Sequence, residues 1–187
     1  MIADAVEGKF VRLVTADKKD AEFTRSLRTD DNNTKHMPKL EVGLEQQEKW
    51  LQSQRDSRDS IFFVVERLDS EPIGTFSLYN IRGSKGETGR MIIRGNQLET
   101  METVLLFHDY VFHTVGLEEV YSEIEEDNFP AIGVAKSCGA VSQGHSTLTP
   151  EPNSLLLYIA KREEYEIARL KLVNLVDRFS ARKRATL

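Results

Sequence analysis

The sequence has few of the residues on which disulfide frameworks, membrane spans and metal sites depend. Its one cysteine, Cys138, excludes an internal disulfide and is typical of a reducing compartment. No apolar run approaches the roughly 20 residues that a membrane-spanning helix needs. The four histidines show neither a His-x-x-x-His spacing nor a carboxylate-rich neighbourhood. The sequence therefore predicts no metal site.

Excess positive charge and a secretion signal are lacking as well. The net charge of −5 argues against broad nucleic-acid binding. Residues 1–10 lack the basic start and the apolar stretch of a signal peptide. The composition, 40% hydrophobic and 29% charged, is typical of a soluble globular protein, and 187 residues suit one domain with a short appendage. We expect a cytoplasmic α/β protein that binds neither nucleic acid nor membrane.

The first half of the chain predicts a strand, two helices and a hairpin. Apolar runs predict strands at residues 9–14, 61–66 and 73–79, and helical spacing predicts helices at about 17–29 and 44–56. Residues 30–40 are rich in turn formers and are typical of a loop. The turn at 69–72 is short enough to join the last two strands as a hairpin.

The second half alternates strands and helices. It predicts a strand at 89–93, a helix at 98–115 ended by Gly116, a strand at 118–124, a helix at 129–137 capped by Asp127 or Asn128, and strands at 140–146 and 154–160. Residues 162–187 form an amphipathic helix outside the domain at 1–161. Its predicted apolar face consists of Ile167, Leu170, Val173, Val176 and Phe179, and it packs on its own domain or on a second copy.

The turn at residues 94–97 lies where an anion-binding loop is expected, between a strand and a long helix. A helix N-terminus presents unpaired backbone N–H groups and a positive dipole end, which together hold phosphate groups. Phosphate cradles usually need several glycines, so that the backbone approaches the phosphates without interference from Cβ atoms. Gly95 is the only glycine in this turn.

The element order β-α-α-β-β-β-α-β-α-β-β over residues 9–161 resembles the GNAT acyltransferase family. The segment DNFPAI at 127–132, followed by Lys136 and CGA at 138–140, is similar to the family's motif DNxxAIxxxxKxGF. The resemblance implies an α/β (α+β) fold with a mixed central sheet flanked by helices. Both ends of the domain resemble the branch that acts on protein N-termini, polyamines and amino-sugars.

The resemblance also implies acetyl-CoA as co-substrate. Its pantetheine arm would lie along Ile92 and Ile93, and its pyrophosphate on backbone N–H groups before the third helix. Asn128 would hold the amide of the arm and Lys136 the 3′-phosphate. The alignment places Asn96, Leu98 and Thr100 where the family has glycine or alanine. The implied cofactor-binding residues are Ile92, Ile93, Gly95, Asn96, Gln97, Leu98, Glu99, Thr100, Asn128 and Lys136.

Two interpretations of this turn remain open: it still binds pyrophosphate, or the site has decayed and the protein is a noncatalytic binding or scaffolding protein. For the enzyme, we expect acetyl transfer to a primary amine of an amino-sugar, a protein N-terminus or a polyamine. Amine acetylation needs a base and an acid, and Ala135 stands where many relatives have an acidic tyrosine. The candidate catalytic residues are Glu87, Asn128 and Ser142. A solvated charge for Glu87 and a helix cap for Asn128 are the structural alternatives. A homodimer through the C-terminal helix is a further expectation.

Overall fold

The computed structural model describes residues 5–37, 40–148 and 155–184. The strands are β1 (Ala5–Glu7), β2 (Val11–Thr15), β3 (Ile61–Arg67), β4 (Pro72–Arg82), β5 (Lys85–Ile93), β6 (Glu119–Glu125), β7 (Val141–His145) and β8 (Leu155–Lys161). The helices are α1 (Ala21–Thr29), α2 (Leu44–Asp56), α3 (Gln97–Asp109), α4 (Phe129–Ser137) and α5 (Arg162–Arg184).

The strands form a single eight-stranded sheet in the order β1-β2-β3-β4-β5-β6-β8-β7. All neighbouring strands are antiparallel except β5 and β6, which run parallel and are connected by α3. Helices cover both faces of the sheet. Successive side chains of β3 point to opposite faces, and both sets are buried. Phe62 and Val64 pack against Leu51 of α2, whereas Phe63 lies in the main core with Phe107 of α3. The predicted mixed sheet flanked by helices is confirmed.

β4 and β5 are longer than the sequence predicts, and they form a hairpin that it did not predict. β5 begins at Lys85 rather than at Gly89, and β4 extends to Arg82, which pairs with Lys85. Gly83 adopts a left-handed φ of +60°, a conformation that glycine adopts without strain. Residues 82–86 therefore form a tight turn and the first residues of β5. The short strand β1 was not predicted.

Helix α3 continues through a π-helical turn at Tyr110–Val115 and ends at Gly116. Gly116 has a φ of +82°, so the predicted C-terminal glycine is confirmed. No helix among residues 5–37, 40–148 and 155–184 is long and apolar enough to cross a membrane.

The predicted apolar face of α5 is confirmed for Val173 and Val176 and wrong for Ile167, Leu170 and Phe179, and the helix packs on its own domain. Ile167 and Leu170 are 68% and 62% exposed. The buried residues are Tyr165, Leu172 and Val176, which pack against α3 and the main core. Residues spaced by three drift around a helix of 3.6 residues per turn, so five of them cannot share one face. The buried set is spaced by seven and four residues, which keeps it on one side.

Candidate functional site

A fork between β5 and β6 opens the centre of the sheet. The two strands pair from Lys85–Glu119 to Glu87–Tyr121 and then separate. The hydroxyls of Thr88 and Ser122 lie 2.8 Å apart at the point of separation, and Ser122 Oγ also donates to the Thr88 carbonyl at 3.1 Å. This bridge closes the base of the opening and leaves the rest of both strands apart.

A cleft of about 630 Å³ occupies the opening. Backbone and side chains of Ile92 and Ile93 line it from β5, and Asn128 and Ala135 line it from α4 and its N-terminus. Thr100 of α3 lines it as well. Of the predicted cofactor-binding residues, the structure therefore brings Ile92, Ile93, Thr100 and Asn128 to one cleft.

The N-terminus of α3 is closed by its own side chains. Asn96 Oδ1 accepts hydrogen bonds from the backbone N–H groups of Leu98 and Glu99, at 2.9 and 3.0 Å. Glu99 Oε2 accepts one from the N–H of Asn96 at 2.7 Å. The Thr100 N–H donates to the Asn96 carbonyl at 3.0 Å. This is a complete capping box, which uses the N–H groups that a pyrophosphate would need.

The same contacts explain the single glycine of the turn. A Cβ on Gly95 would lie 2.7 Å from Glu99 Oε2 and 3.1 Å from Glu99 Cβ. Glu99 is buried, and its Oε1 accepts a hydrogen bond from Arg67 Nε at 2.7 Å. Gly95 is therefore required for the packing of a carboxylate on the turn. Among the described residues, five of the predicted cofactor-binding residues do not line the cleft: Gly95, Asn96, Gln97, Leu98 and Glu99.

Sequence comparison assigns the architecture to a known family. A family model of the acetyltransferase (GNAT) domain matches residues 11–141. The chain belongs to the GNAT acetyltransferase family. No curated protein matches it.

Solved GNAT structures share the fold over nearly the whole chain. The apo form of FdhC, a nucleotide-linked sugar GNAT, has a TM-score of 0.76 at 20% identity, with 92% of this chain and 98% of that chain covered. Spermidine N-acetyltransferase from Vibrio cholerae in complex with CoA and spermine has a TM-score of 0.71 at 18% identity, with 83% of this chain and 97% of that chain covered. Ribosomal-protein-S5-alanine acetyltransferase from Vibrio fischeri has a TM-score of 0.70 at 16% identity, with 86% of this chain and 98% of that chain covered. At these identities the likeness concerns the fold.

Asn128 has the position that the GNAT motif implies. It is the N-cap of α4, and its Oδ1 accepts a hydrogen bond from the Ala131 N–H at 3.2 Å. Pro130 follows in the first turn, where a missing N–H costs nothing. The side chain also lines the cleft, so the predicted cap is confirmed and a contact to an occupant of the cleft stays a prediction.

Glu87 is the last residue of β5 that pairs with β6. Its carboxylate accepts hydrogen bonds from Tyr79 Oη and Asn80 Nδ2, both at 2.8 Å. Burial and the Glu87 charge raise the pKa of the Tyr79 phenol well above its usual value, and burial followed by the same charge raises the pKa of Tyr121. Glu87 is therefore a fixed carboxylate at the apex of the fork, outside the described lining of the cleft, and its role as a base stays a prediction.

Ser142 and Lys136 lie away from the cleft. β7, which carries Ser142, is the strand at the edge of the sheet, outside β8. Ser142 is exposed, and its Oγ accepts a hydrogen bond from the Gly144 N–H at 3.2 Å. Lys136 is exposed on α4, whose inner face is formed by Ile132 and Ala135. Neither belongs to the cleft lining in the part of the chain that the structure describes, which does not support their predicted roles.

Tyr158 is a cleft residue that the sequence did not reveal. It is 4% exposed, pairs with Ser122 across β8 and β6, and packs with Ile124, Ile132 and Ala135. It thus lies next to Ala135, the position where many relatives carry an acidic tyrosine. The alternation of LLLYIAK shows one buried face of a strand but not its register against β6, which decides this contact.

The structure also brings a histidine and two carboxylates together at the mouth of the cleft. His36 Nδ1 lies 2.7 Å from Glu125 Oε2 and 3.4 Å from Asp127 Oδ1. The three potential ligand atoms are mutually within 4.8 Å. The spacing rules that predicted no metal site could not find this group, because His36 comes from the loop before α2 and its partners from the end of β6.

Proposed function

We propose that the protein transfers an acetyl group from acetyl-CoA directly to a primary amine. The observation that supports this most is the cleft at the fork of β5 and β6. Tyr158 lines this cleft from β8, and Glu87, outside its described lining, is the last residue of β5 that pairs with β6. The amine is a small molecule or a peptide N-terminus.

The cleft suits one part of acetyl-CoA better than the other. Beyond Glu87, β5 has no pairing with β6, so a pantetheine arm finds free strand edges and the apolar lining of Ile92 and Ala135. The first turn of α3 does not suit the pyrophosphate, because the Glu99 carboxylate and the Asn96 side chain already accept its N–H groups. Acetyl-CoA supplies an acetyl group activated as a thioester.

Glu87 supports the first proton transfer. A primary amine is protonated at neutral pH and must lose a proton before its nitrogen attacks the thioester carbon. The new C–N bond forms as the C–S bond breaks. The ammonium group loses two protons in total: one passes through water to the Glu87 carboxylate and on to solvent, and the other replaces the proton that the departing thiolate takes up. Tyr79 and Asn80 hold that carboxylate in one orientation at the apex of the fork.

Tyr158 supports the second proton transfer. The departing thiolate needs a proton, and Tyr158 lines the cleft beside Ala135. Ser122, its cross-strand neighbour, places it at the level where the two strands separate. The phenol thus replaces, from β8, the tyrosine that α4 lacks.

The test is the acetyl-CoA-dependent release of free thiol with glucosamine, spermidine and a peptide with a free N-terminus. Activity on at least one amine is expected, and Glu87→Gln and Tyr158→Phe should each reduce kcat by about a hundredfold. Glu45→Gln, on the exposed surface of α2, is the matched control. No release with any amine, together with no binding heat at millimolar acetyl-CoA, rejects the proposal.

A noncatalytic binding or scaffolding protein is the second candidate, and the closed turn before α3 is the observation in its favour. It predicts no thiol release and an unchanged melting temperature with acetyl-CoA. A cytoplasmic location stays a proposal, supported by the single buried cysteine. A homodimer through α5 also stays a proposal; sedimentation of the Ile167→Glu variant tests it, since loss of the dimer is expected if this exposed face mediates contact.

A further inference from the structure

A second cavity of about 330 Å³ lies between α1, α2 and the strands β4 and β5. Arg28 of α1 and Arg90 of β5 both line it. Arg90 also lines the cleft at the fork, so one guanidinium side chain belongs to the walls of both spaces. We call this space the arginine cavity. A group bound there would lie beside the proposed site of acetyl transfer.

The backbone places Arg90 by an unusual conformation. Its φ is +53°, a value that non-glycine residues rarely adopt and that costs on the order of 1 kcal/mol or more. The register of β4 against β5 shifts here, between Thr75 and Ser77. Thr75 Oγ1 donates to the Arg90 carbonyl at 3.0 Å and fixes the bulge. Backbone strain of this kind is concentrated at binding sites, where it directs a side chain.

Neutral groups hold the Arg90 guanidinium in place. Its carbon lies 4.1 Å from the ring centroid of Tyr79 and 5.5 Å from that of Trp50. Nη1 donates to Gln54 Oε1 at 3.3 Å. Stacking on aromatic rings orients a guanidinium without neutralising its charge. No carboxylate among residues 5–37, 40–148 and 155–184 forms an ion pair with it, so the side chain is presented there as a cation.

Arg28 adds a second positive charge to the same cavity. Burial and the charge of Arg90 lower the pKa of the Arg28 guanidinium, which nevertheless stays protonated at neutral pH. The described residues lining the cavity contribute no carboxylate. The walls also carry hydroxyl and amide side chains and four apolar or aromatic residues: Leu40, Val42, Trp50 and Phe62. Two guanidinium groups in one cavity are a donor set that recognises phosphate and carboxylate.

We propose that the arginine cavity binds an anionic group, a phosphate or a carboxylate, carried by the amine acceptor. The inference rests on the proposed acetyl transfer and narrows its substrate class to anionic amines such as amino-sugar phosphates or amino acids. A polyamine, which carries only positive charge, is disfavoured because it would bring further cations to Arg28 and Arg90. An anion would be attracted to both guanidinium groups.

Isothermal titration tests this with three acceptors that share one amine: glucosamine, glucosamine 6-phosphate and glucosaminic acid. We expect at least one of the two anionic compounds to bind about tenfold or more tightly than glucosamine, and the comparison distinguishes phosphate from carboxylate recognition. Spermidine should bind most weakly. Inorganic phosphate serves as the smallest probe and should compete with the preferred compound.

Arginine variants locate the binding. Arg28→Gln and Arg90→Gln should each abolish most of the preference for the anionic amine over glucosamine. Arg90→Lys should retain only part of this preference, because lysine lacks the planar guanidinium that binds an anion through two parallel N–H groups. Arg28→Lys and Arg90→Lys keep the charge in case the glutamine variants fail to fold. Arg55→Gln, exposed on α2 and outside the cavity, is the matched control.

Equal affinity for glucosamine and both anionic compounds, a preference for spermidine, or an unchanged preference in the folded arginine variants would overturn the inference. The titrations need no turnover. Anion binding without acetyl transfer would therefore reject the proposed function alone, whereas acetylation without anion preference would reject the inference alone.

Discussion

The Glu99 carboxylate accepts a hydrogen bond from the backbone N–H of Asn96 at 2.7 Å, and the Asn96 side chain in turn accepts one from the N–H of Glu99. This reciprocal pair places a negative charge at the positive end of α3. The contact is stabilising for the helix. It also occupies the position at which GNAT proteins are expected to hold a pyrophosphate.

If the proposed acetyl transfer is right, we predict that the nucleotide half of CoA contributes little to donor recognition. Acetyl-pantetheine should serve as donor with a kcat/KM within about tenfold of that of acetyl-CoA, since the lost contacts amount to about 1.4 kcal/mol or less. Glu99→Gln should strengthen acetyl-CoA binding a few-fold in titrations and leave acetyl-pantetheine unchanged. Glu71→Gln is the control, because Glu71 also pairs with Arg67 but lies outside the cap. A loss of a hundredfold or more with acetyl-pantetheine would contradict the prediction.

Because His108 is buried, we predict that the folded protein loses stability in mild acid. It is 2% exposed, Nδ1 lies 2.8 Å from the Val104 carbonyl, and burial lowers its pKa from 6.5 to about 4 despite the nearby Asp109 charge. Between those values the unfolded chain binds the proton and the folded chain does not, so stability is full above pH 6.5 and decreases as the pH falls to 4. The total loss is about 3 kcal/mol.

Urea unfolding at pH 7.5 and pH 5 measures this effect. The difference between the two pH values should be about 2 kcal/mol smaller in His108→Gln than in the wild type. His145→Gln replaces an exposed histidine and should change the difference little. An identical pH dependence in His108→Gln would show that His108 is not responsible.

Cys138 should be inert to thiol reagents in the folded protein. It is 3% exposed, its Sγ donates to the Ala135 carbonyl at 3.0 Å, and burial raises its pKa to about 12. The thiolate is the reactive form, so labelling with a disulfide reagent at pH 8 should require unfolding. The control is Ser137→Cys in a Cys138→Ser background, which moves the thiol to an exposed position and should react within seconds. Rapid labelling of the wild type would refute the assignment.

Asp109 should contribute most of the polar contact between α3 and α5. It accepts hydrogen bonds from Tyr165 Oη at 2.7 Å and from Arg169 Nε and Nη2 at 2.6 and 2.9 Å. Asp109→Asn should lower the free energy of unfolding by about 1–3 kcal/mol, since an amide replaces the shared carboxylate. Asp177→Asn breaks an exposed pair with Lys9 and should cost about 0.5 kcal/mol or less. Equal effects of the two variants in urea unfolding would count against this account.

Local signals in the sequence predicted the elements but not the contacts between them. The capping role of Asn128 and the helix end at Gly116 depend on neighbouring residues, and both predictions are confirmed. The pairing of Tyr158 with Ser122 depends on the register of β8 against β6. The proximity of Arg28 and Arg90 depends on how α1 packs against the sheet. These relationships join distant segments, and the periodicity of either segment is the same whichever partner it finds.

The parallel pairing of β5 with β6 has a consequence for synthesis. During translation β5 emerges before α3 and β6, so until β6 arrives it is an open edge whose backbone groups have no strand partner. The contact that finally covers it spans only Lys85–Glu87, and the remaining edge stays open to form the cleft. The part of the sheet that stays most vulnerable to wrong strand pairing in the nascent chain is therefore the part that forms the cleft in the folded protein.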